Sequence, residues 1–301
     1  MTDCIAQGQP LAAELVGEFR DSREVLDDTP ELQRRFAEDG YIFVRGAVDR
    51  ELAMAAREEV FGRLVEVDEI KPPAVDGIFT ERSQRRELHP DLGGFWQSVN
   101  EGPALRRVSH GPELGRVVGN LLGEKARPHD FMFLRVSVVG RATNLHYDRP
   151  FFARGSQRIC TAWTALGDIP KTDGPLFVVE GSNRFDDLIE QAWAVDYDSK
   201  DSPLVSILDD VATLLKKRQT RLLTTHFHLG DLVLFDMKLL HGTLDNHSPV
   251  GRVRLSCDVR YQPAADPMDE RYFGPNPTGT TGIGYAELNG AKPLTEPWHT
   301  R

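Results

Sequence analysis

The sequence predicts a mainly β protein with flanking helices, its strands folded into a sandwich or barrel. Two observations carry that expectation. From Phe131 to Gln262 the chain breaks into short β-rich runs: FMFLRVSVV, RICTAWTALGDI, LFVVEGS, DLVLFDMKLLH and VRLSCDVRYQ. Gly, Pro, Asn and Asp separate them. Upstream of these runs the apolar residues recur at helical spacing instead.

In chain order, residues 1 to about 28 are polar and aperiodic and are expected to be loosely ordered. A helix opens at Asp28-Thr29-Pro30, a capping residue ahead of a first-turn proline, and Gly40 is its stop. Leu32 and Phe36 lie one turn apart within it. Tyr41-Ile42-Phe43-Val44 reads as a strand. A second helix runs from Arg50 to Val65, with Leu52, Ala56, Val60 and Leu64 forming an apolar stripe. Residues 71 to 100 are rich in loop signals and charge. Residues 103 to 122 read as helical again, with Leu105, Val108, Leu114, Val117, Val118 and Leu121 as the apolar set. Between the later strands, residues 185 to 225 form a charged, partly helical insertion, and the tail from Pro263 is loop-like. Neither a repeat nor a long linker divides the chain. The expectation is one domain over 1–301: a helical flank (1–125), a β core (126–265) carrying the insertion 185–225, and a tail (266–301).

The charge balance is 36 basic against 46 acidic residues, a net charge of -10. That argues against non-specific nucleic-acid binding, which depends on neutralising phosphates. Cys4, Cys160 and Cys257 are far apart and match no zinc spacing, as expected of thiols in a reducing compartment. The N-terminus shows no secretory pattern, and no apolar run approaches the roughly 18 residues of a membrane span. A cytoplasmic protein is expected.

The informative segment is Asn144-Leu145-His146-Tyr147-Asp148. Side chains alternate along a strand, so His146 and Asp148 point to one face. One imidazole and one carboxylate there are two-thirds of a facial triad, the metal-ligand set that leaves open positions on an iron ion. The best candidate for the third ligand is His241, at the mouth of the apolar strand Leu232-Val233-Leu234-Phe235. Arg252, eleven residues later on the next strand, returns beside the metal strand through the hairpin from Gly242 to Gly251. A guanidinium grips a carboxylate at two points and stays charged, which suits the far carboxylate of 2-oxoglutarate. Ser256 shares that face and could donate a second hydrogen bond. Arg254 shares it too and is the runner-up.

These residues resemble the phytanoyl-CoA dioxygenase family of iron(II) and 2-oxoglutarate oxygenases, from about Phe36 to Tyr261. The resemblance rests on Phe36-Ala37-Glu38-Asp39-Gly40-Tyr41, His146-Tyr147-Asp148, Ala162-Trp163-Thr164-Ala165-Leu166, Asp173-Gly174-Pro175-Leu176 and Gly181-Ser182-Asn183. It continues through Gly230-Asp231-Leu232-Val233-Leu234-Phe235, His241-Gly242-Thr243, Asn246, Ser248-Pro249 and Arg252. It implies a double-stranded β-helix (jelly roll, cupin-like), with Fe(II) on His146, Asp148 and His241. It also implies 2-oxoglutarate on Arg252, with Ser256, Thr143 and Trp163 near it, and O2 as oxidant. One departure is Glu180-Gly181-Ser182-Asn183, where the family's bend reads proline-glycine-serine-histidine; that bend is structural. Asp148 is intact, so the open-site pattern of related halogenases is not met.

Arg149, Phe151, Phe152 and Arg154 follow the metal motif at once and are placed to line the substrate mouth. With the insertion 185–225, that loop is expected to form a mobile cover. His226 and His228 read as strand residues rather than a second metal pair, His247 as a hairpin residue and His129 as structural. The expected reaction is oxidation of a C–H bond of a small molecule, with a specialised-metabolite scaffold preferred. Two alternatives stand beside it: a zinc hydrolase and a non-catalytic binding protein. Arg252 argues against the first, because hydrolysis needs no dicarboxylate anchor. Retention of the whole ligand set argues against the second.

Overall fold

The structure is a computed structural model and describes residues 4–201 and 209–297. A short N-terminal hairpin pairs β1 (Ile5–Ala6) with β2 (Gln9–Pro10), and β3 (Val16–Gly17) follows. The expectation of a loosely ordered N-terminus is corrected here. Cys4, Ala6, Leu11 and Phe19 are buried, and β3 joins a sheet. These residues sit in apolar runs of at most three, too short for either period to reveal them.

α1 (Thr29–Asp39) begins where Asp28 accepts a hydrogen bond from the Glu31 N–H at 3.1 Å. It ends at Gly40, whose φ of 76° closes the helix with an N–H bond to the Phe36 carbonyl. β4 (Tyr41–Val44) and α2 (Arg50–Val65) match the sequence reading. The stretch 71–100 is more ordered than expected, for it contains α3 (Arg85–Leu88) and α4 (Leu92–Asn100). Gly93-Gly94 hides α4 from a propensity argument, yet Asp91 caps it through the Gly94 N–H, and Phe95, Trp96 and Val99 are buried. The helical stretch from 103 is two helices, α5 (Pro103–Ser109) and α6 (Pro112–Leu122), broken at His110-Gly111-Pro112.

The remaining strands are β5 (Ala126–Ser137), β6 (Cys160–Ala165), β7 (Leu176–Val179), β8 (Leu222–Leu223), β9 (Leu232–Asp236), β10 (His241–Thr243) and β11 (Arg254–Pro263). The insertion contributes α7 (Asp186–Trp193) and α8 (Val211–Arg218). Five strands form an antiparallel sheet in the order β4-β9-β6-β11-β5, and four form a smaller sheet, β10-β7-β8-β3.

Strand alternation divides the large sheet into two faces. One face carries Ile42, Val44, Ala162, Leu232, Leu234, Leu255, Cys257 and Val259, packed on Ala56, Val60, Leu64, Leu105 and Val118 of the helices. The other carries Phe43, Trp163, Val233 and Phe235, which meet Leu176, Val178 and Leu223 of the small sheet. The site lies in this inter-sheet space. The outer face of the small sheet, with Phe177, Val179 and Leu222, is covered by Leu214 and Leu215 of α8 and by the N-terminal hairpin. The helical part of the insertion therefore covers the small sheet; residues 202–208 lie outside the described residues. The loop-like tail is tied down by buried Tyr272, Tyr285, Leu288 and Leu294. Among the described residues no helix is long and apolar enough to cross a membrane.

Candidate metal centre

Two of the three expected ligands are brought together by backbone pairing. His146 and His241 sit opposite each other in an antiparallel bridge, each N–H bonding the other's carbonyl at 2.9 and 3.1 Å. Directly opposed residues place their side chains on one side of the pair, and the imidazole centroids are 4.3 Å apart. The close approach needs Gly242. A Cβ there would stand 2.8 Å from the Thr143 carbonyl and 3.0 Å from Phe177. Asp148, two residues beyond His146, completes the group, and one ligand atom from each residue lies within 4.8 Å of the other two.

The donor set fits a metal ion. Each histidine directs Nδ1 at a backbone carbonyl, His146 at Asn144 (2.7 Å) and His241 at Leu239 (2.9 Å). That contact fixes the proton on Nδ1 and leaves the Nε2 lone pair free to bind a metal. Both Nε2 atoms face Asp148 Oδ1, at 3.5 and 3.7 Å. Bonds of about 2.1 Å to one ion would set neighbouring ligand atoms roughly 3 Å apart, so a small closure suffices. Burial pushes His241 down to about 3, so its imidazole is neutral. Burial pushes Asp148 up, but the Arg260 guanidinium more than offsets it and holds the carboxyl well below its usual range. Neutral imidazole and ionised carboxylate are the metal-binding forms.

Asp148 Oδ2 is occupied by two donors, Thr161 Oγ1 at 2.7 Å and Arg260 Nη2 at 2.6 Å. Oδ1 is thereby left as the carboxylate's metal-facing atom. Thr161 and Arg260 are register partners on β6 and β11. The sequence reading missed both, although the parity that relates Arg254 to Ser256 on β11 also reaches Arg260.

The arginines expected to serve the cosubstrate are separated by the structure. Arg252 lies at the rim, its side chain 37% exposed, and its Nη1 is bound to buried Asp173 at 3.0 Å. Arg254, one strand repeat further in, is 2% exposed. Its Nη1 donates to Ser256 Oγ at 2.7 Å, and its Nε and Nη2 meet no acceptor among the described residues. Trp163 is buried in the inter-sheet space, 4.7 Å from Phe227. Thr143 sits beside the metal strand, its N–H donating to Thr243 Oγ1 at 2.7 Å.

Of the residues expected at the substrate mouth, Phe151 and Phe152 are near the centre. The Phe151 ring is 6.4 Å from that of His146, and Phe152 lies 4.8 Å from the Arg260 guanidinium. Arg149 turns to Trp193 of α7, and Arg154 pairs with Asp196 and Asp198 at 2.9 and 3.0 Å. Tyr197 stacks edge-on against Phe151, so the segment after α7 meets the loop that follows Asp148. His129 is buried against Gln262, and His247 lies in the β10–β11 connection. His226 and His228 stack on each other, and among the described residues His146, Asp148 and His241 are the one group of metal-ligating character.

The sequence profile of the phytanoyl-CoA dioxygenase (PhyH) family matches residues 36–253. The chain belongs to the phytanoyl-CoA dioxygenase family. Its relatives include the 1-deoxypentalenic acid 11-beta-hydroxylase of Streptomyces exfoliatus, 26% identical over 268 residues, covering 83% of this chain and 87% of that protein. The enzyme of the same name from Streptomyces arenae is 25% identical over 276 residues, covering 82% and 86%. In three dimensions the chain is similar to EctD from S. alaskensis in its apo form, with a TM-score of 0.55 and 17% identity, covering 90% of this chain and 89% of that one. The fold is thus the double-stranded β-helix of cupin-like oxygenases. Family membership and the two-histidine, one-carboxylate cluster make the chain an iron(II)- and 2-oxoglutarate-dependent dioxygenase. The zinc-hydrolase and non-catalytic readings fall away.

Proposed function

We propose that this family member oxidises a C–H bond of a small molecule, with Fe(II) held by His146, Asp148 and His241. Iron(II) bound there, with 2-oxoglutarate and O2, supplies the oxidising power that no amino-acid side chain has. The chain's own residues bind, orient and exclude water. His146 and His241 present Nε2 in the tautomer fixed by the Asn144 and Leu239 carbonyls, and Thr161 with Arg260 leaves Asp148 a single free oxygen.

We assign the distal carboxylate of 2-oxoglutarate to Arg254 and Ser256, in place of Arg252. The observation that carries this is the pair of buried nitrogens on Arg254 that meet no acceptor among the described residues, whereas the Arg252 guanidinium is already matched by Asp173. Burial lowers Arg254 to about 10, so it remains charged at neutral pH. Trp163 lines the space between anchor and metal, and Phe151 and Phe152 line the substrate side. The curated relatives are named as hydroxylases of 1-deoxypentalenic acid, which favours hydroxylation and a specialised-metabolite scaffold. The three cysteines are buried and form no disulfide among the described residues, in keeping with a reducing, cytoplasmic setting. One apolar cluster reaches from Leu32 to Leu294, which supports a single working domain.

The test is iron-dependent succinate formation from 2-oxoglutarate, screened for stimulation by small molecules that include 1-deoxypentalenic acid. A protein that binds neither iron(II) nor 2-oxoglutarate overturns the reading.

A further inference from the structure

Resting on that reading, a second cationic feature lies beside the metal, distinct from the cosubstrate anchor. Arg260 is 2% exposed, and its guanidinium lies against two aromatic rings, 4.5 Å from Phe133 and 4.8 Å from Phe152. Nη2 is committed to Asp148. Nε and Nη1 are buried and meet no hydrogen-bond acceptor among the described residues; Nη1 stops 4.0 Å short of Asp258 Oδ2. Arg135 approaches the other side of Phe133's surroundings, 5.2 Å from that ring, and donates Nε to the same Asp258 oxygen at 3.0 Å. Its side chain is 21% exposed, so the two guanidiniums run from the buried interior to a side chain that solvent reaches.

The charges do not balance. Among the described residues, the inward side chains named here bring three guanidiniums, Arg135, Arg254 and Arg260, against two carboxylates, Asp148 and Asp258. A divalent iron and a 2-oxoglutarate dianion cancel each other. One positive charge remains in a poorly hydrated space, where an unmatched charge is costly. Bulk charge offers no explanation, because the chain as a whole is acidic.

We propose that Arg260 and Arg135 form a substrate subsite for a single carboxylate or equivalent monoanion, with Phe133 and Phe152 covering the apolar part next to it. The two guanidiniums select acids over their neutral analogues and fix which end of the molecule stays away from the metal. Arg135 is the specificity-determining residue that can be altered without touching a metal ligand.

The test uses the protein loaded with iron(II) and saturating 2-oxoglutarate without oxygen, after a separate titration has shown that both are bound. Cyclohexanecarboxylate and cyclohexanecarboxamide are then titrated by calorimetry up to the millimolar range. The acid is expected to bind about tenfold or more tighter than the amide, an energy difference of about 1.4 kcal/mol. Arg135→Gln should remove most of that preference while iron stoichiometry and 2-oxoglutarate affinity stay the same. Arg135→Lys should keep part of it, which separates lost charge from lost structure. Arg116→Ala, a surface cation paired with Asp27, should leave it intact. Equal binding of acid and amide, or binding of neither, overturns the proposal. So does acid binding that competes with 2-oxoglutarate, because the acid would then be occupying the Arg254 anchor. Failure of the preliminary iron and 2-oxoglutarate titration would instead strike at the oxygenase reading itself.

Discussion

The two faces of β11 are equally buried and chemically opposite. Leu255, Cys257, Val259 and Tyr261 point to the helices, and Arg254, Ser256, Asp258 and Arg260 point between the sheets. Burial of the first set is favourable by itself, at roughly 1.5–3 kcal/mol for a large apolar side chain. Burial of the second set is unfavourable unless every charge finds a partner. On this strand several do not: Arg254 Nε and Nη2, Arg260 Nε and Nη1, and Asp258 Oδ1 stand without acceptors or donors among the described residues. A purely structural core would leave few such atoms. The contrast separates the face that holds the protein together from the face we propose meets cosubstrate and substrate.

Substitutions on either face test that division, and the metal side should respond most strongly. His241→Ala is expected to lose bound iron and turnover together, as read by metal analysis, while the fold persists by circular dichroism. Stoichiometric iron in that variant would refute the ligand assignment.

Next in size is the inward face of β11. Removing one partner from a buried charge pair costs about 3–5 kcal/mol, so Arg254→Ala should raise the Michaelis constant for 2-oxoglutarate about a hundredfold or more. Arg252→Ala, which breaks a rim pair with Asp173, should change it only severalfold. If the order of the two variants reverses, the anchor returns to Arg252. Arg254→Lys should restore only part of the affinity, because an ammonium lacks the planar two-point grip.

The outward face should respond in the opposite currency. Leu255→Ala removes packing against the helices and should cost about 2–5 kcal/mol of stability, seen as a lower denaturant midpoint. The Michaelis constant for 2-oxoglutarate, measured on folded protein, should stay put. A large change in that constant would show that the two faces are coupled.

Away from both faces of β11, the remaining effect is a pH dependence. Burial lowers His129 to about 3 and His110 to about 4, against an ordinary value of 6.5. Below about 6.5 the unfolded chain takes up protons that the folded chain refuses. Their contribution is therefore complete above that pH and declines as the pH falls toward the folded values. Each group contributes a slope of about 1.4 kcal/mol per pH unit in that window. Urea midpoints at pH 7, 6 and 5 should fall in that order, and His129→Phe should flatten the decline. A His129→Phe slope equal to that of the unsubstituted protein would remove this histidine from the account.

Much of this was legible locally. The cap at Asp28, the stop at Gly40 and the bounds of α2 follow from short-range signals and are found where those signals lie. His146, Asp148 and His241 were legible through the donor types a metal needs, although the strand expected to carry the first two is only a bridge at His146, and Asp148 instead caps the turn Arg149–Phe151. α4 was not, since Gly93-Gly94 lowers helix propensity and only burial of Phe95 and Trp96 outweighs it. The buried N-terminus was not legible either, because its few apolar residues become a pattern only against β8 and α8.

The sequence by itself determined the β-rich core, the flanking helices, the candidate ligand set His146, Asp148 and His241, and the shared parity of Arg254 and Ser256. Parity states which side a residue faces, not how deep it lies or what neutralises it. Only the tertiary structure decided that Asp173 takes Arg252 at the rim, that Arg254 is buried with two nitrogens lacking an acceptor among the described residues, and that Thr161 and Arg260 close on Asp148. The physical reason is that each partner comes from an element distant in the chain. The energy of a charge depends on those partners and on its distance from water, and neither is encoded in the residues next to it.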